Sequence, residues 1–146
     1  MRTLDQWFSI YAVSHQNPIN KKIHYWCVPL IFYSTLAFLE GISRAEYLNL
    51  PFSLSLALVI FGGFFYLQLG SRLAVCGLII ALLSWFSFYG LNSETLVFGG
   101  GSIFILAWLG QFVGHRIEGA KPSFLQDIVF LLIGPLWVLK AIKDKL

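Results

Sequence analysis

Apolar stretches separated by short polar turns are the feature of this sequence that most limits its fold. Four of them cover residues 25–39, 51–69, 73–89 and 96–114. A helix that crosses a bilayer needs roughly 20 apolar residues, with a lower limit of about 17. The first stretch reaches that length only if it includes residues before position 25. The sequence therefore predicts an all-α membrane bundle with about four transmembrane helices.

The composition also favours a membrane protein over a soluble one. Hydrophobic residues make up 58% of the 146 residues, and charged residues make up 12%. An ordinary soluble domain has about 25% charged residues, and a chain of this length has too little interior to bury so many apolar side chains. We therefore expect residues 1–146 to form a single integral membrane domain, with no cleavable signal at the N-terminus. The basic residues are scattered, which excludes a nucleic-acid-binding surface.

Two further segments are predicted to be helices that do not cross the bilayer. Residues 3–15 have an amphipathic pattern, and the Asn17-Pro18 pair ends it because a residue before proline avoids helical geometry. This helix is expected to lie at the membrane surface or to cap the bundle. The last apolar run, residues 128–139, is too short to span and contains Pro135, so an interfacial or re-entrant helix is expected. The apolar face of the first helix consists of Leu4, Trp7, Phe8, Tyr11 and His15.

The distribution of Lys and Arg predicts the orientation of the bundle. In a four-span topology, one side carries only Arg44. Because basic residues are enriched in cytoplasmic segments, the opposite, more basic side is predicted to be cytoplasmic. Lys140, Lys143 and Lys145 join that side if the last segment does not cross. The other basic residues of the predicted cytoplasmic side are Arg2, Lys21, Lys22, Arg72, Arg116 and Lys121.

The two cysteines lie in apolar stretches and form no metal-binding or disulfide pattern. Cys27 and Cys76 are therefore predicted to be small, buried core residues.

The three histidines are predicted to meet at the cytoplasmic boundary. His15 and His24 precede the first span, and His115 ends the fourth. Neutral imidazole is the commonest metal ligand among side chains. Gln111 and Glu118 lie four residues before and three residues after His115, so a continuous helix would present all three on one face. Three imidazoles and the Glu118 carboxylate form a ligand set suited to iron or zinc.

Less specific interpretations of the same residues remain open. Each histidine, taken singly, fits a half-solvated side chain at a membrane interface. Glu118 could pair with Arg116 or Lys121 in water, and Asn17 and Asn20 could simply shape the turn. An aromatic belt at the interface would explain Tyr11, Tyr25, Trp26 and Trp108.

Two segments resemble the paired motifs of the Mpo1-like family. They are YAVSHQNPINKKIHYWCVPL, near the N-terminus, and WLGQFVGHRIEGAKPS, after the fourth apolar stretch. In this family a proline opens the first span, and Pro29 takes that place here. A glycine often stands where this chain has Cys27. The resemblance covers essentially the whole chain. The matching positions are Tyr11, His15, Asn17, Asn20, His24 and Pro29 in the first segment, and Gln111, Gly114, His115, Glu118 and Pro122 in the second.

The resemblance implies an Fe(II)-dependent dioxygenase that uses O2 to shorten long-chain 2-hydroxy fatty acids by one carbon. It assigns the iron to His15, His24 and His115, with Glu118 as a fourth ligand or as a partner that orients a histidine. It also implies catalytic roles for Tyr11, Gln111 and Glu118. The residues expected to bind the substrate and its carboxylate are Asn17, Asn20, Lys21, Lys22 and Arg116.

Other functions also fit the sequence. A haem protein would use two of the histidines as axial ligands, and a zinc protein or zinc hydrolase would use the same three. A transporter or scaffold would carry no chemistry. Intramembrane charge would support transport, but the inner parts of the four predicted spans carry none.

Overall fold

The computed structural model describes residues 2–46, 48, 50–122 and 129–144, and within these ranges it contains helices and no strand. The prediction of an all-α fold is confirmed. A short π-helical turn, Thr95–Gly99, leads directly into the fifth helix. The helices are α1 (Leu4–Ala12), α2 (Pro18–Arg44), α3 (Leu54–Gln68), α4 (Arg72–Phe86), α5 (Gly100–Glu118) and α6 (Phe130–Lys143).

Helix α1 caps one end of the bundle. A capping box formed by Thr3 and Gln6 starts it. It ends at Ala12, three residues earlier than predicted, and the turn that follows directs His15 inward. All five residues of the predicted apolar face are buried. Part of this face packs on α6, where the rings of Trp7 and Phe130 meet edge to face at 5.4 Å.

Helix α2 is much longer than the predicted first span. Asn17 caps it by accepting a 2.8 Å hydrogen bond from the backbone N–H of Ile19, and Pro18 occupies the first helical position, where its missing N–H costs nothing. Pro29 therefore lies inside the helix, and the expectation that it opens the first span is wrong. The helix continues past residue 39 to Arg44.

Within the described ranges, two helical segments are long and apolar enough to cross a membrane. They are Pro18–Arg44, with 27 residues, and Thr95–Glu118, with 24 residues. Helices α3 and α4 are apolar but have 15 residues each, which is below the usual limit of about 17 for a spanning helix. Length and composition thus support two spans, and the structure does not show the four that the sequence predicts.

Small residues allow α2 and α5 to pack closely along their antiparallel lengths. A Cβ built on Gly100 would lie 2.9 Å from the backbone nitrogen of Phe38, so only a residue without a side chain allows the two helices to approach this closely here. Farther along, a Cβ on Gly110 would lie 2.7 Å from the Cys27 sulfur. Cys27 is half-buried at this contact. Cys76 is exposed, so the prediction that it is a core residue is wrong.

A tight hairpin joins α3 to α4. Gly70 adopts a positive φ of 58°, which favours glycine, and the Ser71 hydroxyl caps α4. Helix α6 packs into the bundle rather than standing apart from it: Ile133 and Leu136 are fully buried, and the Tyr66 hydroxyl donates a 2.8 Å hydrogen bond to the Leu132 carbonyl. Residue 128, where this helix was predicted to begin, lies outside the described residues.

A buried carboxylate near the end of α2 was not expected from the sequence. Glu40 is 3% exposed and accepts hydrogen bonds from Arg44 on its own helix, from Ser53 and Ser55 at the start of α3, and from Trp85 on α4. Residue 40 lies one position beyond the predicted first span, and nothing in the local sequence indicates that its carboxylate is buried.

Candidate metal centre

The three histidines converge at one end of the bundle, as predicted. His15 comes from the turn after α1, His24 from the second turn of α2, and His115 from the last turn of α5. Their side chains are 1%, 1% and 6% exposed, and the nitrogen atoms that could bind an ion all lie within 4.8 Å of one another. The Nε2 atoms of His24 and His115 are 3.2 Å apart.

Backbone carbonyls determine which ring nitrogen of His15 and of His24 is left to bind an ion. Nδ1 of His15 donates a 2.6 Å hydrogen bond to the carbonyl of Tyr11, and Nδ1 of His24 donates a 3.0 Å bond to the carbonyl of Asn20. A carbonyl oxygen can only accept, so in each neutral ring Nδ1 carries the proton and Nε2 keeps a lone pair. Among the described residues, Nε2 of His15 has no hydrogen-bond partner although it is buried.

Burial also keeps His15 neutral. It lowers the pKa of His15 to about 4, although the hydrogen bond to the Tyr11 carbonyl acts in the opposite direction. At neutral pH the ring therefore offers a lone pair instead of a positive charge, as a metal ligand must.

A single metal ion fits this arrangement. Two nitrogens 3.2 Å apart can both lie about 2.0–2.1 Å from one ion, and the unpartnered Nε2 of His15 supplies a third donor. An all-imidazole donor set suits iron and zinc alike. It suits haem poorly, because ring centroids only 4.4–5.0 Å apart leave no space for a macrocycle between any two of the histidines.

Glu118 lies outside this histidine cluster. Its carboxylate accepts hydrogen bonds from the backbone N–H groups of Gln16, at 2.7 Å, and Asn17, at 2.9 Å. The side-chain amide of Asn20 donates a further 2.9 Å bond to it. Because the backbone carbonyl of Asn20 holds His24, Glu118 is connected to the cluster through Asn20. This geometry favours the supporting role over that of a fourth ligand.

Tyr11 and Gln111, two residues with expected catalytic roles, lie beside the histidines. The Tyr11 ring stacks on His15 with centroids 4.0 Å apart, and burial raises the pKa of the Tyr11 phenol, which keeps it protonated. Gln111 is buried, and its Oε1 has no hydrogen-bond partner among the described residues. Both side chains line the same cavity as the three histidines.

The residues expected to bind the substrate do not line that cavity. Lys22 and Arg116 are exposed to solvent, and Lys21 is half-buried. Asn17 caps α2, and Asn20 is fully buried, where its side-chain amide donates to Ser14 and Glu118. The structure thus gives the two asparagines structural partners, and a role for the three basic residues in binding a carboxylate stays a prediction.

An apolar cavity of about 480 Å³ extends from the histidine cluster into the bundle. Its wall combines α2 with α3, α4, α5 and α6, and most of the lining side chains are aliphatic or aromatic. The wall could not be predicted from the sequence, because each of its residues taken alone looks like an ordinary core or lipid-facing residue.

Comparisons with known proteins agree with the resemblance of the motifs. The profile of a family described as "2-hydroxy-palmitic acid dioxygenase Mpo1-like" matches residues 1–146. The chain is also 28% identical over 131 residues to the 2-hydroxy-palmitic acid dioxygenase MPO1 of Saccharomyces cerevisiae, an alignment that covers 88% of this chain and 73% of the yeast protein. No solved structure matches the chain.

Proposed function

The chain belongs to the Mpo1-like family, and we propose on this basis that it is an Fe(II)-dependent dioxygenase that shortens long-chain 2-hydroxy fatty acids by one carbon. The observation that carries the proposal is the position of the three histidines. Their buried side chains converge at one end of an apolar cavity of about 480 Å³. This arrangement places a metal-binding group beside a space suited to an acyl chain.

The chain's own residues would hold and orient the reactants. His15, His24 and His115 would hold the iron, and the iron would supply the chemistry that activates O2. Gln111 offers a buried amide oxygen to the 2-hydroxyl group of the acid. The protonated Tyr11 keeps His15 in position by stacking on its ring, and the aliphatic wall excludes water from the acyl chain.

The overall change balances with one molecule of O2. The bond between C1 and C2 of the acid breaks, C2 becomes the carboxyl carbon of the shortened acid, and C1 leaves as carbon dioxide with one molecule of water. Lys21 is the basic side chain best placed to attract the substrate carboxylate, because it is half-buried and close enough to act on His15 electrostatically.

We also propose that the chain is a single integral membrane domain with its histidine end at the cytoplasmic side. Large apolar side chains are exposed around the short helices as well as the long ones; Phe61, Phe64 and Phe86 are 69%, 65% and 67% exposed. Such a surface is unfavourable in water and suits a lipid environment. Helices α3 and α4 would cross as a short pair, for which local thinning of the bilayer compensates.

Purified protein tests the activity directly. Protein in detergent, loaded anaerobically with Fe(II), is mixed with O2 and a long-chain 2-hydroxy acid, and the products are identified by mass spectrometry. We expect the acid one carbon shorter, no product from His115→Ala, and little product from the matching acid without the 2-hydroxyl. Turnover without O2 would favour a zinc hydrolase. Absence of product from protein with confirmed iron would overturn the proposed function.

A further inference from the structure

The apolar cavity follows the antiparallel pair α2 and α5 away from the histidines. On α2 its wall runs from His24 through Val28 to Leu36. At a rise of about 1.5 Å per residue, Leu36 lies about 18 Å along the helix from His24. On α5 the wall steps in the opposite chain direction, from His115 to Phe104. The cavity is thus elongated, with the histidines at one end.

Beyond the histidine end, the two hydroxyl groups in the described wall of the cavity already have hydrogen-bond partners. The Thr35 hydroxyl donates to the Ile31 carbonyl at 2.7 Å, and the Tyr66 hydroxyl donates to the Leu132 carbonyl at 2.8 Å. A cavity with a largely apolar wall and satisfied hydroxyl groups does not hold water well. It is chemically matched to a hydrocarbon chain.

Three side chains close the end of the cavity farthest from the histidines. Leu36 of α2, Val59 of α3 and Ala81 of α4 all line it, and they belong to one buried cluster. They are 0%, 4% and 4% exposed. We refer to these three residues as the cavity floor.

The buried Glu40 network lies directly behind this floor. Glu40 follows Leu36 by four residues, Ser55 precedes Val59 by four, and Trp85 follows Ala81 by four, so each lies about one helical turn beyond a floor residue. The Glu40 carboxylate accepts hydrogen bonds from both Ser55 and Trp85. One side chain therefore ties the three helices together immediately behind the floor and holds its residues in register.

We propose that Leu36, Val59 and Ala81 set the longest acyl chain that the histidine centre can act on. The inference rests on the proposed function for the identity of the acid. Its physical basis is independent of the reaction: the acid's carboxyl end is positioned at the histidines, so the methyl end reaches a fixed wall. Ala81 is the most informative floor residue because its side chain is the smallest of the three and lines the cavity.

Two variants should change the depth of the cavity in opposite directions. Ala81→Leu adds three carbon atoms at the floor and should shorten the longest accepted acid by about three carbons. Val59→Ala removes two carbon atoms and should extend it. Ile80→Phe is the matched control, because Ile80 neighbours Ala81 but is 42% exposed and does not line the cavity.

The test uses one mixture of 2-hydroxy acids of graded length, presented in vesicles of fixed composition. Each acid partitions equally whichever variant is present, so the ratio of variant to wild-type kcat/KM isolates the effect of the cavity. We expect Ala81→Leu to lower kcat/KM at least tenfold more for the longest acids than for the shorter ones. A second measurement quantifies acids retained by each protein after anaerobic incubation, when no turnover can occur.

The results separate this inference from the proposed function. Opposite shifts of the length limit in Ala81→Leu and Val59→Ala, with no shift in Ile80→Phe, support the floor. If the variants show no turnover but retain acids whose length limit shifts in the same way, the floor is supported and the proposed reaction is contradicted. If wild type and the folded Val59→Ala and Ala81→Leu variants all accept acids of the same lengths, these residues do not set the length limit. Any observed turnover would still support the proposed function. Failure to retain or convert any acid would overturn both.

Discussion

The side-chain amide of Asn20 donates a 2.9 Å hydrogen bond to the carboxylate of Glu118, which lies 98 residues later in the chain. The bond joins the first turn of α2 to the last residue of α5. The backbone carbonyl of Asn20 in turn accepts the Nδ1–H of His24. Glu118 therefore acts on the histidine cluster through Asn20, as carboxylates often do around metal-bound histidines.

We expect Glu118→Gln to weaken metal binding by about 10–100-fold, although no ligand is removed. The new amide places donor hydrogens against the N–H groups of Gln16, Asn17 or Asn20, so one of these contacts becomes repulsive. Competition with a chelator of known affinity measures the change. Glu94→Gln is the control, because Glu94 is exposed and distant in the chain. Unchanged affinity in Glu118→Gln would contradict the supporting role.

Replacement of any one of the three histidines by Ala should remove most of the bound metal. Each imidazole supplies one of three donors to a buried site, and Glu118 is held by three hydrogen bonds of its own, so its carboxylate is poorly placed to replace a lost ligand. Metal analysis of the purified variants measures the occupancy. Three single variants that each keep full occupancy would show that the histidines do not share an ion.

Gly114→Ala should disturb the metal centre without touching a ligand. A Cβ on Gly114 would overlap the Oδ1 atom of Asn20, and the displaced Asn20 would release His24 and Glu118. Gly101→Ala is the matched control on the same helix, since its Cβ would make an ordinary 3.5 Å contact with Phe38. We expect weaker metal affinity in the first variant and none of this effect in the second. Equal affinities would show that Asn20 is not held as described.

Gln111→Leu should reduce discrimination between 2-hydroxy acids and acids without the hydroxyl. The amide oxygen of Gln111 is buried beside His115, and leucine has a similar volume without a polar atom. We expect kcat/KM for the 2-hydroxy acid to fall about tenfold or more, because one hydrogen bond to the substrate is worth roughly 1–2 kcal/mol. Phe112→Leu, at an exposed neighbour, should have no such effect. Retained discrimination in Gln111→Leu would exclude Gln111 from hydroxyl binding.

Glu40→Ala should lower the thermal stability of the protein in detergent. Its removal takes the shared carboxylate acceptor from the buried Ser55 and the half-buried Trp85, which keep only their contacts with the Ser53 hydroxyl, so we expect a loss of about 1–3 kcal/mol in total. Unfolding followed by tryptophan fluorescence measures the loss, and Glu94→Ala provides the exposed control. A variant as stable as the control would mean that the Glu40 network contributes nothing to holding the helices.

The sequence by itself determined most of the secondary structure and the position of the histidines. Apolar runs and helical spacing predict the helices and the buried face of α1, because these depend on residues close together in the chain. The convergence of His15, His24 and His115 also followed from counting which end of each helix they occupy. The ends of α2 were predicted less well, because Asn17 caps it before the apolar stretch begins and the buried Glu40 and its partners extend it beyond.

Only the tertiary structure decided what surrounds the histidines. The burial of Glu40 could not be predicted, because three of its partners, Ser53, Ser55 and Trp85, belong to or cap two other helices. The cavity was invisible for the same reason, since it is the space left between several helices and no single residue encodes it. Glu118 was predicted as a ligand or as a support, and the choice between these depends on where the N–H groups of Gln16 and Asn17 lie. Periodicity reports the environment that each residue prefers, whereas distances between side chains far apart in the chain exist only after the helices have packed.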